Sequence, residues 1–292
     1  MSDAPKPLTQ EEANGLLEVV QVLEKEYAGK IAHVIFTVTE VFPRAKKMVR
    51  VRGQLPEGTD MSVWTGPNVA FSLEIPIPAE ELEGIEGAPQ TSPRRYTVAD
   101  YDVAARTLDI DFVLHEGDTP AMLWLRDAKP GTTIELESPR VHFLPPKGEK
   151  LVLVADSTAV PAVLRICAEH PLPAQTTLLT SAARDELPEL AGVKTVFVSE
   201  EALGEEFTKL PETNAADALW AAGEQGQMRI VRRHWRKTLG RGKEQIAISG
   251  YWRAGISATA RDIEGLRGIR DALVAGSSLA EITAAAEESD DV

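Results

Sequence analysis

Pro145-Pro-Lys-Gly148-Glu-Lys150-Leu-Val-Leu-Val-Ala155-Asp-Ser-Thr-Ala-Val160-Pro-Ala162 is the stretch that decides the fold. Two prolines and a glycine interrupt any regular element, so they mark a boundary. Lys150 to Ala155 is a compact run of apolar residues with the length of one strand. Small and hydroxyl residues follow. Pro161 then suits the first turn of a helix, where its missing N–H costs nothing. Strand, polar turn, helix is the repeating unit of a parallel sheet covered by helices.

Downstream the unit repeats. The pattern predicts a helix over Val160–Glu169, strands over Thr176–Thr180 and Lys194–Val198, and a strand over Ala218–Ala222. A helix from about 224 to 239 and a last strand over Glu244–Ser249 follow, then an Ala-rich helical stretch over 257–287 and an acidic, frayed end at 289–292.

Upstream the texture differs. Short β-branched and apolar runs cover Ile31–Val41, Met48–Val51, Val69–Ile77, Arg95–Ala99, Thr107–Leu114 and Thr132–Leu136. Turn formers such as Pro56-Glu-Gly58 and Lys129-Pro-Gly131 separate them, a rhythm that predicts an antiparallel barrel or sandwich. Residues 78–93, rich in Pro, Gly and Glu, read as a long loop, and Thr119–Ala128 as a short helix. Residues 1–7 read as a disordered tip. Thr9-Gln-Glu-Glu12 is a capping box opening a helix over 9–27, with Leu16, Val20, Leu23 and Tyr27 on one face. The expected plan is a β-barrel over 1–146, with its leading helix, and an open parallel α/β domain over 147–292.

Composition narrows the chemistry. The 292 residues carry 31 Lys+Arg against 45 Asp+Glu, a net charge of −14, which opposes nonspecific nucleic-acid binding. One cysteine excludes an internal disulfide and a Cys-ligated iron–sulfur cluster. No apolar run reaches the roughly 18–20 residues that span a bilayer. The start shows no secretory pattern, so a cytoplasmic protein without membrane or nucleic-acid partners is expected. Cys167 reads as core filling, and Trp220, Trp235 and Trp252 as packing.

Three segments carry more than fold. They are Ser92-Pro-Arg-Arg-Tyr-Thr-Val98, then Asp111-Phe-Val-Leu-His-Glu-Gly-Asp-Thr-Pro-Ala-Met-Leu-Trp124, and lastly Leu151–Ala162 followed by Trp220-Ala-Ala-Gly-Glu224 and Ser249-Gly-Tyr-Trp-Arg253. In this order and spacing, over about 31 to 256, the chain resembles the siderophore-interacting proteins, the flavin-dependent ferric-siderophore reductases.

The resemblance implies a role for each segment. Arg94, Tyr96 and Thr97 would carry FAD, since a guanidinium can fork onto a diphosphate while a ring and a hydroxyl seat an isoalloxazine. The family often has a second basic residue where this chain has Ala99, so either one phosphate contact is lost or Arg95 supplies it. Asp111, Val113, His115, Gly117, Thr119, Pro120 and Ala121 continue the FAD site at a turn entering a helix. Here Glu116, Asp118 and Met122 depart from the family's pattern.

Thr158, Ala159, Gly223 and Glu224 would line the nicotinamide–ribose site. The carboxyl ends of parallel strands form such a crevice. No Gly-x-Gly-x-x-Gly occurs there. Arg253, with Lys46, Lys47 and Arg126 behind it and Arg140 as a further candidate, would attract an anionic ferric siderophore. The donor is NADH or NADPH. Arg229, Arg232, Arg233, Arg236 and Lys237 read as a solvated helix face, which would favour NADPH only by turning into the cleft. No catalytic acid–base residue and no metal site is expected. The implied activity is NAD(P)H-dependent, FAD-mediated reduction of Fe(III) in a siderophore. An accessory siderophore binder without flavin, and a flavin reductase acting on another acceptor, stay open on these residues.

Overall fold

The computed structural model describes residues 10–27, 33–77, 91–117, 119–255 and 258–282. The expected tip, the capping threonine Thr9, residues 78–90 of the long loop, Asp118 and the frayed end lie outside the described residues.

Strands β1 (His33–Ala45), β2 (Met48–Gln54), β3 (Val69–Pro76), β4 (Thr91–Asp102), β5 (Thr107–Val113) and β6 (Thr133–Val141) are antiparallel. They close a barrel in the order β1-β2-β5-β4-β3-β6, so the alternative of a sandwich falls away. Alternation along the strands turns Phe36, Val51, Leu73, Ile110 and Phe112 into one buried core. The expected strand ended at Val41, but β1 runs on through Pro43 to Ala45. A register shift between Pro43 and Ala45 accommodates the residue that cannot donate to the ladder. Helix α1 (Gln10–Tyr27) precedes the barrel, and α2 (Pro120–Asp127) joins β5 to β6.

Strands β7 (Lys150–Ala155), β8 (Gln175–Thr180), β9 (Val193–Phe197), β10 (Ala218–Glu224) and β11 (Ile246–Trp252) form a parallel sheet ordered β11-β10-β7-β8-β9. Its apolar strands are buried on both faces, as parallel strands are. Leu151, Leu153 and Ala155 pack with α3 (Val160–Glu169) on one side. Val152 and Val154 pack with Phe207, Val231 and Trp235 on the other. Two short helices that the sequence pattern does not reveal, α4 (Leu203–Lys209) and α5 (Pro211–Ala215), lie between β9 and β10. The helix expected over 224–239 is α-helical only in α6 (Gln225–Arg233) and continues as a π-helical turn, His234–Thr238. Helix α7 (Ala258–Val274) returns to α1, where Arg267 bonds Glu12 at 2.9 Å.

The two halves are fastened in several places. Met48 of the barrel is fully buried in the sheet's core. Arg165 of α3 lies over the Tyr101 ring at 4.4 Å and pairs with Asp100 at 3.2 Å. Between β6 and β7 the Phe143 carbonyl accepts from Asn68 Nδ2 and Trp220 Nε1, each at 2.8 Å. Those bonds fix the chain where it crosses from barrel to sheet.

Candidate active site

Strand order places a switch point between β7 and β10. The chain leaves β7 toward β8 on one side and returns to β10 on the other, which opens a crevice at the carboxyl ends of both strands. Asp156, directly after β7, fills the base of that crevice. Its Oδ1 accepts from Thr158 N at 2.9 Å and Thr158 Oγ1 at 2.5 Å. Its Oδ2 accepts from Glu224 N and Trp252 Nε1, both at 2.8 Å. Burial pushes the Asp156 carboxyl above the usual carboxylate range, and the four donors oppose that rise. One side chain thus ties together the ends of β7, β10 and β11.

Gly223 is required here. Its φ is +152°, and a Cβ would stand 2.6 Å from Asp156 Oδ2. Glu224 caps α6 by accepting from Gln227 N at 2.9 Å, and its other oxygen accepts from Ala254 N at 3.1 Å.

The crevice opens into a cleft of about 1560 Å³ between sheet and barrel. From the barrel, Arg94, Arg95, Tyr96 and Thr97 of β4, Asp111 and Val113 of β5, and His115 line it, as do Thr119 and Ala121 at the start of α2. From the sheet come Thr158, Met228, Arg229, Arg232, Tyr251, Trp252 and Arg253. The Tyr96 ring stands 4.6 Å from Phe112, which stacks on Trp124 at 5.5 Å, so an aromatic column backs it. The Tyr251 hydroxyl is hydrogen-bonded to the Thr97 side chain, which joins β11 to β4 across the cleft. Burial raises the pKa of both tyrosines, so both hydroxyls stay protonated.

The expected residues fall into three groups. Arg94, Tyr96, Thr97, Asp111, Val113, His115, Thr119, Ala121, Thr158, Lys47 and Arg253 line the cleft. Gly117 (φ +102°), Pro120 at the first turn of α2, buried Ala159, Gly223 and Glu224 are outside the lining but adjoin residues that line it. Lys46 and Arg126 are outside its lining, and Arg126 Nε reaches back to Met122 O at 3.4 Å. The Asp111 carboxylate is already engaged. Arg50 grips it twice, at 2.7 and 2.9 Å, and Arg44 approaches to 3.3 Å, so it braces the barrel wall.

Sequence reasoning missed several cleft residues. Trp252, read as packing, donates to Asp156. The five-residue basic face divides, with Arg229 and Arg232 lining the cleft and Arg233, Arg236 and Lys237 outside its lining. His142 lines the cleft with its ring 6.2 Å from Tyr251, and no motif marks it.

The residues fit a dinucleotide with an anionic middle. Helix α2 opens on the cleft with Thr119 as its cap, and Arg94 and Arg95 stand on the facing strand. Met122 packs on the barrel core and Glu116 is exposed, and both also line the cleft, so one carboxylate stands on the same wall as the cap of α2.

A closed antiparallel barrel facing a parallel sheet across one cleft is the ferredoxin-reductase-like architecture. The reductase GcoB for cytochrome P450 from Amycolatopsis shares the fold, with a TM-score of 0.57 at 18% identity over 77% of this chain and 71% of that one. The model of the siderophore-interacting FAD-binding domain matches residues 67–143, and that of the siderophore-interacting protein matches 148–255. The ferric acinetobactin reductase of Acinetobacter baumannii is 31% identical over 251 residues, 82% of this chain and 85% of that protein. The solved siderophore-interacting protein from A. baumannii superposes with a TM-score of 0.73 at 28% identity, covering 83% of this chain and 99% of that one. The chain belongs to the siderophore-interacting protein family.

Proposed function

We propose that the chain reduces Fe(III) in a siderophore complex, with NAD(P)H as donor and FAD as the bound carrier. One observation supports this most: β4, with Arg94, Tyr96 and Thr97, faces the β7–β10 crevice and Arg253 across a single cleft. Bound FAD would supply a hydride acceptor for the nicotinamide and a one-electron donor for the iron.

The chain's own residues position these partners. Arg94 and Arg95 would hold the diphosphate, with Thr119, Gly117 and His115 at the turn that opens α2. Tyr96 and Thr97 would seat the ring system, with Asp111 and Val113 lining the same cleft. Thr158, Ala159, Gly223 and Glu224 shape the nicotinamide pocket through Asp156. Proximity accounts for the transfer, so no side chain needs to move a proton. Lys47 and Arg253 set positive charge at the rim, which draws an anionic chelate to a chain of net charge −14. The boundary at Pro146/Lys147 then separates a flavin-binding half from a nicotinamide-binding half.

No helix among the described residues is long and apolar enough to cross a membrane. The reading places the reaction in the cytoplasm, where NAD(P)H is abundant. Arg229 and Arg232 give the cleft two cations that a 2′-phosphate would meet, which favours NADPH. Arg229→Ala should raise KM for NADPH about tenfold and leave KM for NADH within about twofold. Equal effects on both donors would reverse that preference.

An absorbance spectrum tests the whole. Purified protein loaded with FAD should show oxidised-flavin bands that bleach anaerobically with NADPH and return on adding a ferric siderophore. Failure to take up FAD, or bleaching that no ferric chelate reverses, overturns the proposal.

A further inference from the structure

The outer face of the barrel carries a second group of ligating side chains that the flavin cleft does not use. His33, the first residue of β1, pairs with Glu137 of β6, and Ile35 pairs with Glu135. Glu135 and Glu137 are two apart on one strand, so their carboxylates leave the same face. His33 Nδ1 lies 2.8 Å from Glu135 Oε1 and 2.8 Å from Glu137 Oε1. The three donor atoms all fall within 4.8 Å of one another. Glu74 of β3 adds a further carboxylate beside Glu137, anchored by the Thr91 hydroxyl at 2.6 Å.

We propose that His33, Glu135 and Glu137 form a binding site for a divalent first-row transition-metal ion. Nδ1 carries at most one proton, so it can direct a good hydrogen bond to only one of its two carboxylates. Among the described residues no Lys or Arg pairs with Glu135 or Glu137, so negative charge exceeds positive charge around this imidazole. A dication in place of the shared proton serves all three donors and balances them.

The spacing agrees. Ligands about 2.1 Å from a metal stand about 3 Å apart at adjacent octahedral positions and about 3.4 Å apart in a tetrahedron. The two N···O separations of 2.8 Å are close to the first value, and the two carboxylate oxygens lie within 4.8 Å of each other. One imidazole with two carboxylates, open to water on the exposed side, suits Fe(II), Mn(II), Co(II) or Zn(II) better than Ca(II) or Mg(II), which take oxygen ligands. The donors sit on paired strands of a closed barrel, so little ordering is needed on binding.

The location adds a reason for the site. Glu137 pairs with Ser72 of β3, and Ser72 pairs with Arg95 of β4. Residues paired across strands share a face, and Ser72 and Arg95 both line the cleft. At about 4.8 Å per strand, Glu137 lies about 10 Å and His33 about 14 Å from Arg95 along this row. Ferrous iron leaving the cleft is therefore the cation this set would meet first. That identification rests on the reductase reading. The metal site itself does not.

Cobalt(II) titration of the FAD-loaded full chain tests the site through the visible d–d absorption of protein-bound cobalt. The expected result is saturable one-to-one binding, weakened at least about tenfold by His33→Ala and by Glu137→Gln. Both side chains reach solvent, and far-UV circular dichroism with NADPH bleaching of the flavin should be unchanged in both variants. Absence of the cobalt bands, or bands of equal affinity in His33→Ala, overturns the site. Anaerobic Fe(II) in large excess should displace the cobalt, since Fe(II) binds a given N/O site more weakly than Co(II), and failure to do so overturns the ferrous assignment. Failure of the reductase reading would appear separately, as lost bleaching with the cobalt bands intact.

Discussion

The Trp252 indole N–H donates to the Asp156 carboxylate at 2.8 Å, across the ends of β11 and β7. These residues are 96 positions apart, yet their bond ties two strand ends together at the β7–β10 crevice. Hydrogen bonds to a charged group are worth about 1.5–3 kcal/mol. Trp252→Phe removes this donor and leaves Asp156 with Thr158 and Glu224. The variant should lose stability of that order in urea titrations and raise KM for NADPH, with FAD affinity unchanged. A variant that loses FAD affinity instead would place Trp252 in the flavin site.

Gly223→Ala tests the same hub from β10. The new Cβ would meet Asp156 Oδ2 at 2.6 Å in a backbone with φ of +152°, which disfavours any L side chain. The expected cost is about 1–3 kcal/mol. The signature is a rise in KM for NADPH with flavin content unchanged. Wild-type stability and kinetics in this variant would show that the crevice tolerates a displaced carboxylate.

Cys167 should be chemically quiet. Burial pushes its thiol from the ordinary 9.0 up to about 11. Two units reduce the thiolate fraction at pH 8 about 100-fold. Iodoacetamide should alkylate the folded protein about 100-fold more slowly than the urea-unfolded chain. Equal rates would mean that the α3 face opens readily.

Asp217 links acid sensitivity to the boundary ahead of β7. Its carboxylate accepts from Lys150 N at 2.9 Å and Glu149 N at 3.1 Å. The Lys150 N–H contributes most to holding its pKa below the usual carboxylate value. A folded-state pKa below the unfolded one gives stability that is present above the unfolded value and lost as pH falls through the folded one. The stability difference between wild type and Asp217→Asn should be largest near neutral pH and shrink toward pH 3. A difference that grows on acidification would contradict this. Gly148 belongs to the same contact, since a Cβ there would lie 2.5 Å from Asp217 Oδ1.

Much of this was legible in the chain itself. The apolar run of β7 and the turn formers before it announced a parallel half, because a strand buried on both faces needs apolar residues throughout. The short β-branched runs announced the antiparallel half. What could not be read were elements too short to show a period, such as α4 and α5, and the continuation of β1 past Pro43, which depends on a bulge against β2.

The sequence by itself determined the two halves and their order, since periodicity and turn chemistry act over a few residues, and its resemblance to the siderophore-interacting proteins marked the segments that face the cleft. Only the tertiary structure decided which side chains converge. Asp156 with Trp252, Thr97 with Tyr251, and His33 with Glu135 and Glu137 meet through strand order and register. Long-range pairing sets those, and no local pattern records it. For the same reason Arg229 and Arg232 turned into the cleft while Arg233, Arg236 and Lys237 did not. The packing angle of α6 on the sheet selects which part of a basic helix faces the cleft.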